Sequence, residues 1–231
     1  MANYHEKVKD ILQKFDEYHN QFYYKYNNDK NWQRMLPSHI KAIDMQYSKD
    51  FDCYLKAIYD TLRLWKMDRN GPRGPKMQKF IDFKLSIEPM KDKIYQAKKI
   101  DLSKMLNRDW FLLEEIFKGI KIMKSLPKLV GHSKTMAHLI PNVVPPVDRQ
   151  YTLSYLRGRK DFKYGLDNEW ILLKEIISNF FIPIACNPKF AISAHLWISE
   201  KEKNPWDTSI PKVIDNLIIG RALALPQEKP K

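Results

Sequence analysis

The residues best suited to chemistry in this sequence are a lysine, Lys134, and an aspartate, Asp148. Lys134 follows a turn at Gly131, and Asp148 ends a proline-rich loop. The pattern predicts helices over residues 133–140 and 148–157, so that the loop between them can bring the two side chains together. A lysine amine can form an imine at a sugar carbon, and a carboxylate can stabilise the positive charge that develops there. Alternatively, the same pair could only hold a nucleic-acid backbone.

The elements that must position this pair are helical. Apolar side chains recur at three- and four-residue steps in long segments, whereas the alternation typical of strands is weak. We therefore expect a mainly α fold, a multi-helix orthogonal bundle with little or no sheet. One domain over residues 1–231 is expected, with two lobes, 1–100 and 101–231, as the alternative organisation. Further helices are predicted over residues 4–30, 38–66, 77–100, 108–124, 167–180, 189–200 and 209–224.

The amino-acid composition indicates which class of binding partner to expect. The 231 residues include 40 Lys and Arg against 27 Asp and Glu, which gives a net charge of +13. Such an excess favours a polyanion, and duplex DNA is the expected partner. Cys53 and Cys186 are isolated, so no metal or cofactor is expected. Because no signal core and no long apolar run is present, we expect no membrane span and an intracellular location, in cytoplasm or nucleoid.

Two motifs resemble those of a known superfamily. The segment Leu126-Pro127-Lys128-Leu129-Val130-Gly131-His132-Ser133-Lys134 resembles the hairpin of the helix-hairpin-helix DNA glycosylases, which include endonuclease III-type enzymes and 8-oxoguanine glycosylases. The segment Pro146-Val147-Asp148-Arg149 is similar to the second element of these enzymes, a loop that delivers an aspartate to a helix. The resemblance covers about residues 105–157 and implies a helix-hairpin-helix element in a helical fold.

The resemblance implies roles for particular residues, in one of two frames. Aligned on Lys134 and His138, the chain resembles a glycosylase-lyase in which Lys134 is the nucleophile and Asp148 its electrostatic partner. Aligned on Gly131, the lysine position falls on Thr135, and the chain resembles an enzyme that activates water through Asp148. Structural roles stay open as well: Asp148 could be a helix N-cap, Lys134 a solvated lysine and His138 a buried structural histidine.

Nucleic-acid contacts are expected from the hairpin, from a basic loop over residues 68–76 and from a basic segment over residues 157–160. The hairpin would present its amides at a helix start, where anions bind. A base that leaves the stack would need a pocket with aromatic walls, for which Trp65, Trp110, Trp170 and Trp197 are candidates. The predicted nucleic-acid-binding residues are Gly131, His132, Ser133, Arg149, Arg69, Arg73, Arg157, Arg159 and Lys160.

The favoured function is therefore a DNA glycosylase, an enzyme of DNA repair or modification that removes a base, with a lyase step through a lysine Schiff base as an option. A non-catalytic nucleic-acid-binding module and a helical interaction subunit of a larger complex are the alternatives. Nucleotide-binding glycine motifs, an HExxH metalloprotease motif and a serine-hydrolase elbow are all absent from the sequence.

Overall fold

The computed structural model describes residues 3–71 and 74–224, and most of them are helical, which confirms the predicted mainly α fold. A two-stranded hairpin, β1 (Asn70–Gly71) with β2 (Gly74–Pro75), is the sheet in the described part. In these ranges no helix combines the length and apolar character that crossing a membrane requires. The helices are α1 (Tyr4–Asn27), α2 (Lys30–Asp44), α3 (Phe51–Leu64), α4 (Phe80–Ile87), α5 (Lys91–Ala97), α6 (Asn107–Gly119), α7 (Leu129–Leu139), α8 (Ser154–Arg157), α9 (Leu166–Ile176), α10 (Ile182–Ala185), α11 (Pro188–Ser199) and α12 (Ile210–Ala224).

The helical block predicted over 38–66 consists of two helices. The first, α2, begins eight residues earlier than predicted, after Asp29, whose carboxylate accepts the Asn31 amide at 2.9 Å. The second, α3, begins after Asp50, which accepts the Cys53 amide at 2.9 Å. Two aspartate N-caps therefore set the helix starts in a segment that lacks glycine at the break.

Helices from both ends of the chain pack together in the core. Helix α1 lies along α12, and Gly220 marks their closest approach. A Cβ atom at Gly220 would lie 1.9 Å from the backbone oxygen of Tyr18. The main hydrophobic cluster contains Phe15 and Leu55 from the first hundred residues together with Leu173 and Leu217, so it draws on both of the predicted lobes.

Two backbone hydrogen bonds join the basic loop to the segment before α7. The Gln78 amide donates to the Ile122 carbonyl at 2.8 Å, and the Lys124 amide donates to the Lys76 carbonyl at 2.9 Å. Residues 76–78 therefore lie beside the connection from α6 to α7.

We expect Gly220→Ala to destabilise the fold by about 1–3 kcal/mol, since the added methyl group meets backbone that cannot rotate away. Chemical denaturation followed by circular dichroism measures this loss.

The matched control is Gly119→Ala. There the added Cβ would meet the flexible end of the Met90 side chain, at 2.3 Å from its sulfur, and that side chain can move. Equal losses in the two variants would contradict the proposed backbone contact between α1 and α12.

Candidate functional site

Lys134 and Asp148 line one cavity of about 280 Å³. Five of its thirteen lining residues are aromatic, and its remaining charged residues, Lys212 and Asp215, come from α12. The elements that converge here are distant in sequence, because α1, α2, α7 and α12 all contribute. The aromatic residues of the lining are Phe22, Trp32, Trp65, Tyr151 and Trp206.

Lys134 is the residue of α7 that reaches this cavity with a reactive group. Its ammonium lies 5.4 Å from the centre of the Trp65 ring, and no carboxylate in the described ranges lies within salt-bridge distance of it. Thr135, the alternative candidate, is fully buried, and its hydroxyl donates to the Gly131 carbonyl at 2.8 Å. The cavity is therefore consistent with the frame that is aligned on Lys134.

Asp148 caps a helix start, as one of the sequence interpretations expected. Its Oδ1 accepts the Tyr151 amide at 2.7 Å and the Thr152 amide at 3.3 Å. In return, the Thr152 hydroxyl accepts the Asp148 amide at 3.2 Å. Among the described residues nothing donates to Oδ2, so one oxygen of this carboxylate can face a ligand in the cavity.

The expected anion site at the start of α7 is occupied by the protein itself. Glu169 of α9 is fully buried, and its Oε2 accepts the Lys128 amide at 2.6 Å and the Leu129 amide at 2.5 Å. A buried carboxylate therefore satisfies the helix start that we expected to bind phosphate. The prediction that hairpin amides contact a nucleic-acid backbone is wrong for these two amides.

His132 and Ser133 are buried as well, so the expectation that they contact nucleic acid is also wrong. His132 Nδ1 donates to the Phe117 carbonyl at 2.9 Å, and burial lowers the pKa of His132 to about 3. The Ser133 hydroxyl donates to the Val147 carbonyl at 3.3 Å, which ties α7 to the loop before Asp148. Gly131 is also buried, but it lies in the wall of a second cleft described below.

His138 belongs to a buried hydrogen-bond chain and does not line the cavity. Its Nδ1 donates to the Lys134 carbonyl at 2.8 Å, so its Nε2 must accept from His39 Nδ1 at 3.0 Å. His39 Nε2 then accepts from the Thr208 hydroxyl at 3.3 Å. Both rings are neutral in this chain, and His39 stacks on Trp206 with 5.1 Å between ring centroids. His138 is therefore a structural residue that supports the cavity wall.

A second, basic cleft opens beside the cavity. It shares Trp65, Lys134, Asp148 and Gln150 with the cavity, and it is lined on its other side by the basic loop and by the connection before α7. Arg149 lies in this cleft with its guanidinium 5.2 Å from the Phe162 ring centroid. The basic residues of the cleft, besides Lys134, are Lys66, Arg69, Lys76 and Arg149.

The other predicted basic contacts lie elsewhere. Arg157 lines a different cavity with Glu175, and Arg159 and Lys160 are exposed residues after the end of α8. Arg73 lies outside the described residues.

Of the four tryptophans proposed as pocket walls, Trp65 lines the cavity. Trp110 and Trp170 pack against each other with ring centroids 6.4 Å apart. Trp197 stacks on His19 at 3.8 Å.

Sequence reasoning missed the contribution of α12. Lys212 donates to Asp215 Oδ2 at 2.8 Å and to Asn216 Oδ1 at 2.5 Å. Asn216 in turn donates to Asp207 Oδ1 at 2.7 Å, and Asp207 Oδ2 pairs with His19 at 2.7 Å. The sequence of α12 could have indicated these residues. Apolar residues occur on every face of this helix, so the polar side chains among them had to be buried and paired.

Comparisons with protein-family models, with curated proteins and with solved structures found no match to this chain. Its function is therefore inferred from the chemistry of the cavity and the cleft.

The neutral histidine pair predicts a loss of stability in acid. Burial lowers the pKa of His138 to about 4 and that of His39 well below its usual value. Because the unfolded chain binds protons near pH 6.5 and the folded chain does not, the free energy of unfolding should decrease from about pH 6.5 down to about pH 4. Each such histidine contributes a slope of about 1.4 kcal/mol per pH unit. Denaturation at a series of pH values measures that slope.

In this series His138→Gln should show a shallower slope than the wild-type chain. The control is His195→Gln on α11, where the histidine is exposed, and its slope should match the wild type. A wild-type slope in His138→Gln would show that this histidine does not stay neutral on folding.

Proposed function

We propose that this protein is a DNA glycosylase that removes a base from duplex DNA through a lysine Schiff base. The observation that carries the proposal is one cavity that Lys134 and Asp148 both line, together with aromatic side chains. A basic cleft lies next to this cavity. A lysine, a carboxylate and a ring-binding pocket are the groups that base excision requires.

The proposal takes Lys134 as the nucleophile because the two lysines of the cavity are held differently. Lys212 is buried and donates hydrogen bonds to both Asp215 and Asn216, so its amine is already engaged. Lys134 is half-buried above Trp65 and, among the described residues, has no carboxylate partner. An amine must lose its proton before it attacks carbon, so the less tightly held lysine is the better nucleophile.

Asp148 would stabilise the charge that develops on the sugar as the base leaves. Its Oδ1 is fixed by two backbone amides, so the carboxylate is already oriented before a substrate binds. Preorganised charge of this kind lowers the barrier without reorganisation during the reaction.

The aromatic walls would bind the extruded base, and the basic cleft would bind the strand. Trp206 and Trp65 offer faces on which a flat ring can stack. Arg69, Lys76 and Arg149 offer positive charge where the backbone would continue.

One observation favours a second candidate, a nucleic-acid-binding module without catalysis. The capping hydrogen bonds of Asp148 give this residue a structural role that requires no chemistry. Tight, salt-sensitive binding of duplex DNA without base release would support this candidate.

Borohydride trapping tests the nucleophile. We expect the wild-type chain to form a covalent adduct with at least one member of a panel of duplexes, each carrying a single modified base. Lys134→Ala should form no adduct, since the imine nitrogen is removed. Denaturing gels measure the adduct, and alkaline strand cleavage measures base release.

The control is Lys124→Ala, which removes an exposed lysine from the connection that precedes α7 and should keep full trapping. Undiminished trapping by Lys134→Ala would show that another amine is the nucleophile. Base release without any adduct would instead point to water activated through Asp148.

The cleft predicts where duplex DNA binds. We expect the double variant Arg69→Ala, Lys76→Ala to bind a duplex more weakly and with a reduced dependence on salt. Each lost phosphate contact should lower the slope of log affinity against log salt by about 0.9. Fluorescence anisotropy at several salt concentrations measures both quantities.

The matched control is Lys104→Ala, Arg108→Ala, which removes the same charge from a separate cleft. It should keep the wild-type salt slope. An equal change in both double variants would mean that net charge, and not the cleft, determines binding.

A further inference from the structure

We propose that Asp215, and not Asp148, accepts the proton that Lys134 must lose before it attacks the sugar. The inference rests on the proposed glycosylase function and assigns a role to a residue that the sequence motif does not contain.

The position of Asp215 is the first argument. Asp215 lies on α12, is 4% exposed and lines the same cavity as Lys134 and Asp148. Its Oδ2 accepts Lys212 at 2.8 Å. Its Oδ1 receives no hydrogen bond from any of the described residues, so this oxygen can take a proton without breaking an existing contact.

The charges around Asp215 are the second argument. Burial raises the pKa of Asp215, and the negative charge of Asp148 raises it further. The positive charges of Lys212 on the same helix and of Lys134 on α7 act in the opposite direction. A carboxylate that is desolvated in this way is a stronger base than a solvated one.

Asp148 is less suited to this step. Two backbone amides at a helix start already donate to its Oδ1, so this carboxylate is held in place as a helix cap. The two carboxylates would therefore have separate roles, with Asp148 stabilising charge beside the sugar and Asp215 exchanging a proton.

Imine formation can be followed atom by atom at an abasic site, where the sugar C1′ is an aldehyde. In the free protein Lys134 lies beyond salt-bridge distance of Asp215, so its side chain first turns toward Asp215 within the cavity that both line. Asp215 then takes one proton from the Lys134 ammonium, and the freed electron pair forms the N–C1′ bond. The C1′–O π electrons move to oxygen, which takes the proton back from Asp215. The nitrogen still carries two protons, and loss of one of them together with the hydroxyl as water gives the protonated imine. Lys212 takes no part in the proton transfer and keeps its hydrogen bonds to Asp215 and Asn216.

The test measures the rate of imine formation between pH 6.5 and 8.5. The probe is a duplex with a single abasic site, and cyanoborohydride traps the imine. With Asp215→Asn we expect a rate about tenfold or more below wild type at pH 7. That rate should rise about tenfold per pH unit, because bulk hydroxide must now remove the lysine proton. The wild-type rate should change much less over this range.

Three further variants are compared with Asp215→Asn by their pH profiles. Asp148→Asn should be slower at every pH without a steeper profile. Asp207→Asn changes a carboxylate of the same buried network that does not line the cavity, and its profile should match the wild type. Because Asp215→Asn leaves a buried lysine unpaired, the double variant Lys212→Met, Asp215→Asn is measured too, with circular dichroism to confirm folding, and the same steep profile is expected.

The results separate the inference from the proposed function. A wild-type profile in folded Asp215 variants, or a loss of rate that is equal at every pH, overturns the role of Asp215 while trapping by the wild-type chain stands. No Lys134-dependent adduct in the wild-type chain overturns the lysine chemistry itself, and the inference with it.

Discussion

Helix α7 is fixed at both ends by buried hydrogen bonds, and the geometry of the site depends on this. At its start, Glu169 accepts the amides of Lys128 and Leu129. At its end, the His138 ring accepts from His39 of α2 at 3.0 Å, and the His138 carbonyl accepts the Tyr54 hydroxyl of α3 at 2.5 Å. Leaving a buried polar group without its partner costs about 1–3 kcal/mol. A shift of α7 would break several such bonds together, so the backbone of Lys134 has one position and only its side chain can move.

The opposite side of the cavity is built on a second buried polar system. Gly220 brings α12 against the backbone of α1, and this close contact leaves Lys212, Asp215 and Asn216 inside the protein. Charged groups are stable there only when they are paired, which the chain of contacts from Lys212 to Asp207 achieves. The same constraint places charge in a cavity whose other walls are largely aromatic and aliphatic, where electrostatic interactions are stronger than in water.

The parts of this structure that follow from local pattern could be predicted, and those that follow from distant contacts could not. Apolar periodicity indicated most helices, and the short motif around Lys134 and Asp148 indicated two residues that do line one cavity. The anion site at the start of α7 was a wrong prediction because its cap, Glu169, comes from about forty positions later in the chain. Trp206 and Asp215 escaped notice for the same reason, since nothing near them in sequence shows that they meet α7.

The four charged side chains of the cavity differ in whether they are paired with each other. This difference argues for a catalytic role of the cavity rather than a purely stabilising one. Lys212 and Asp215 are bonded to each other, whereas Lys134 and Asp148 are not joined by an ion pair within the described residues. A site selected for stability alone would pair all of its buried charges, because an unpaired one is costly. Departures from local consistency of this kind concentrate at functional sites. The basic cleft alone is enough to hold a nucleic-acid backbone, so the half-buried amine of Lys134 beside Trp65 is the feature that the binding-module candidate leaves without a role.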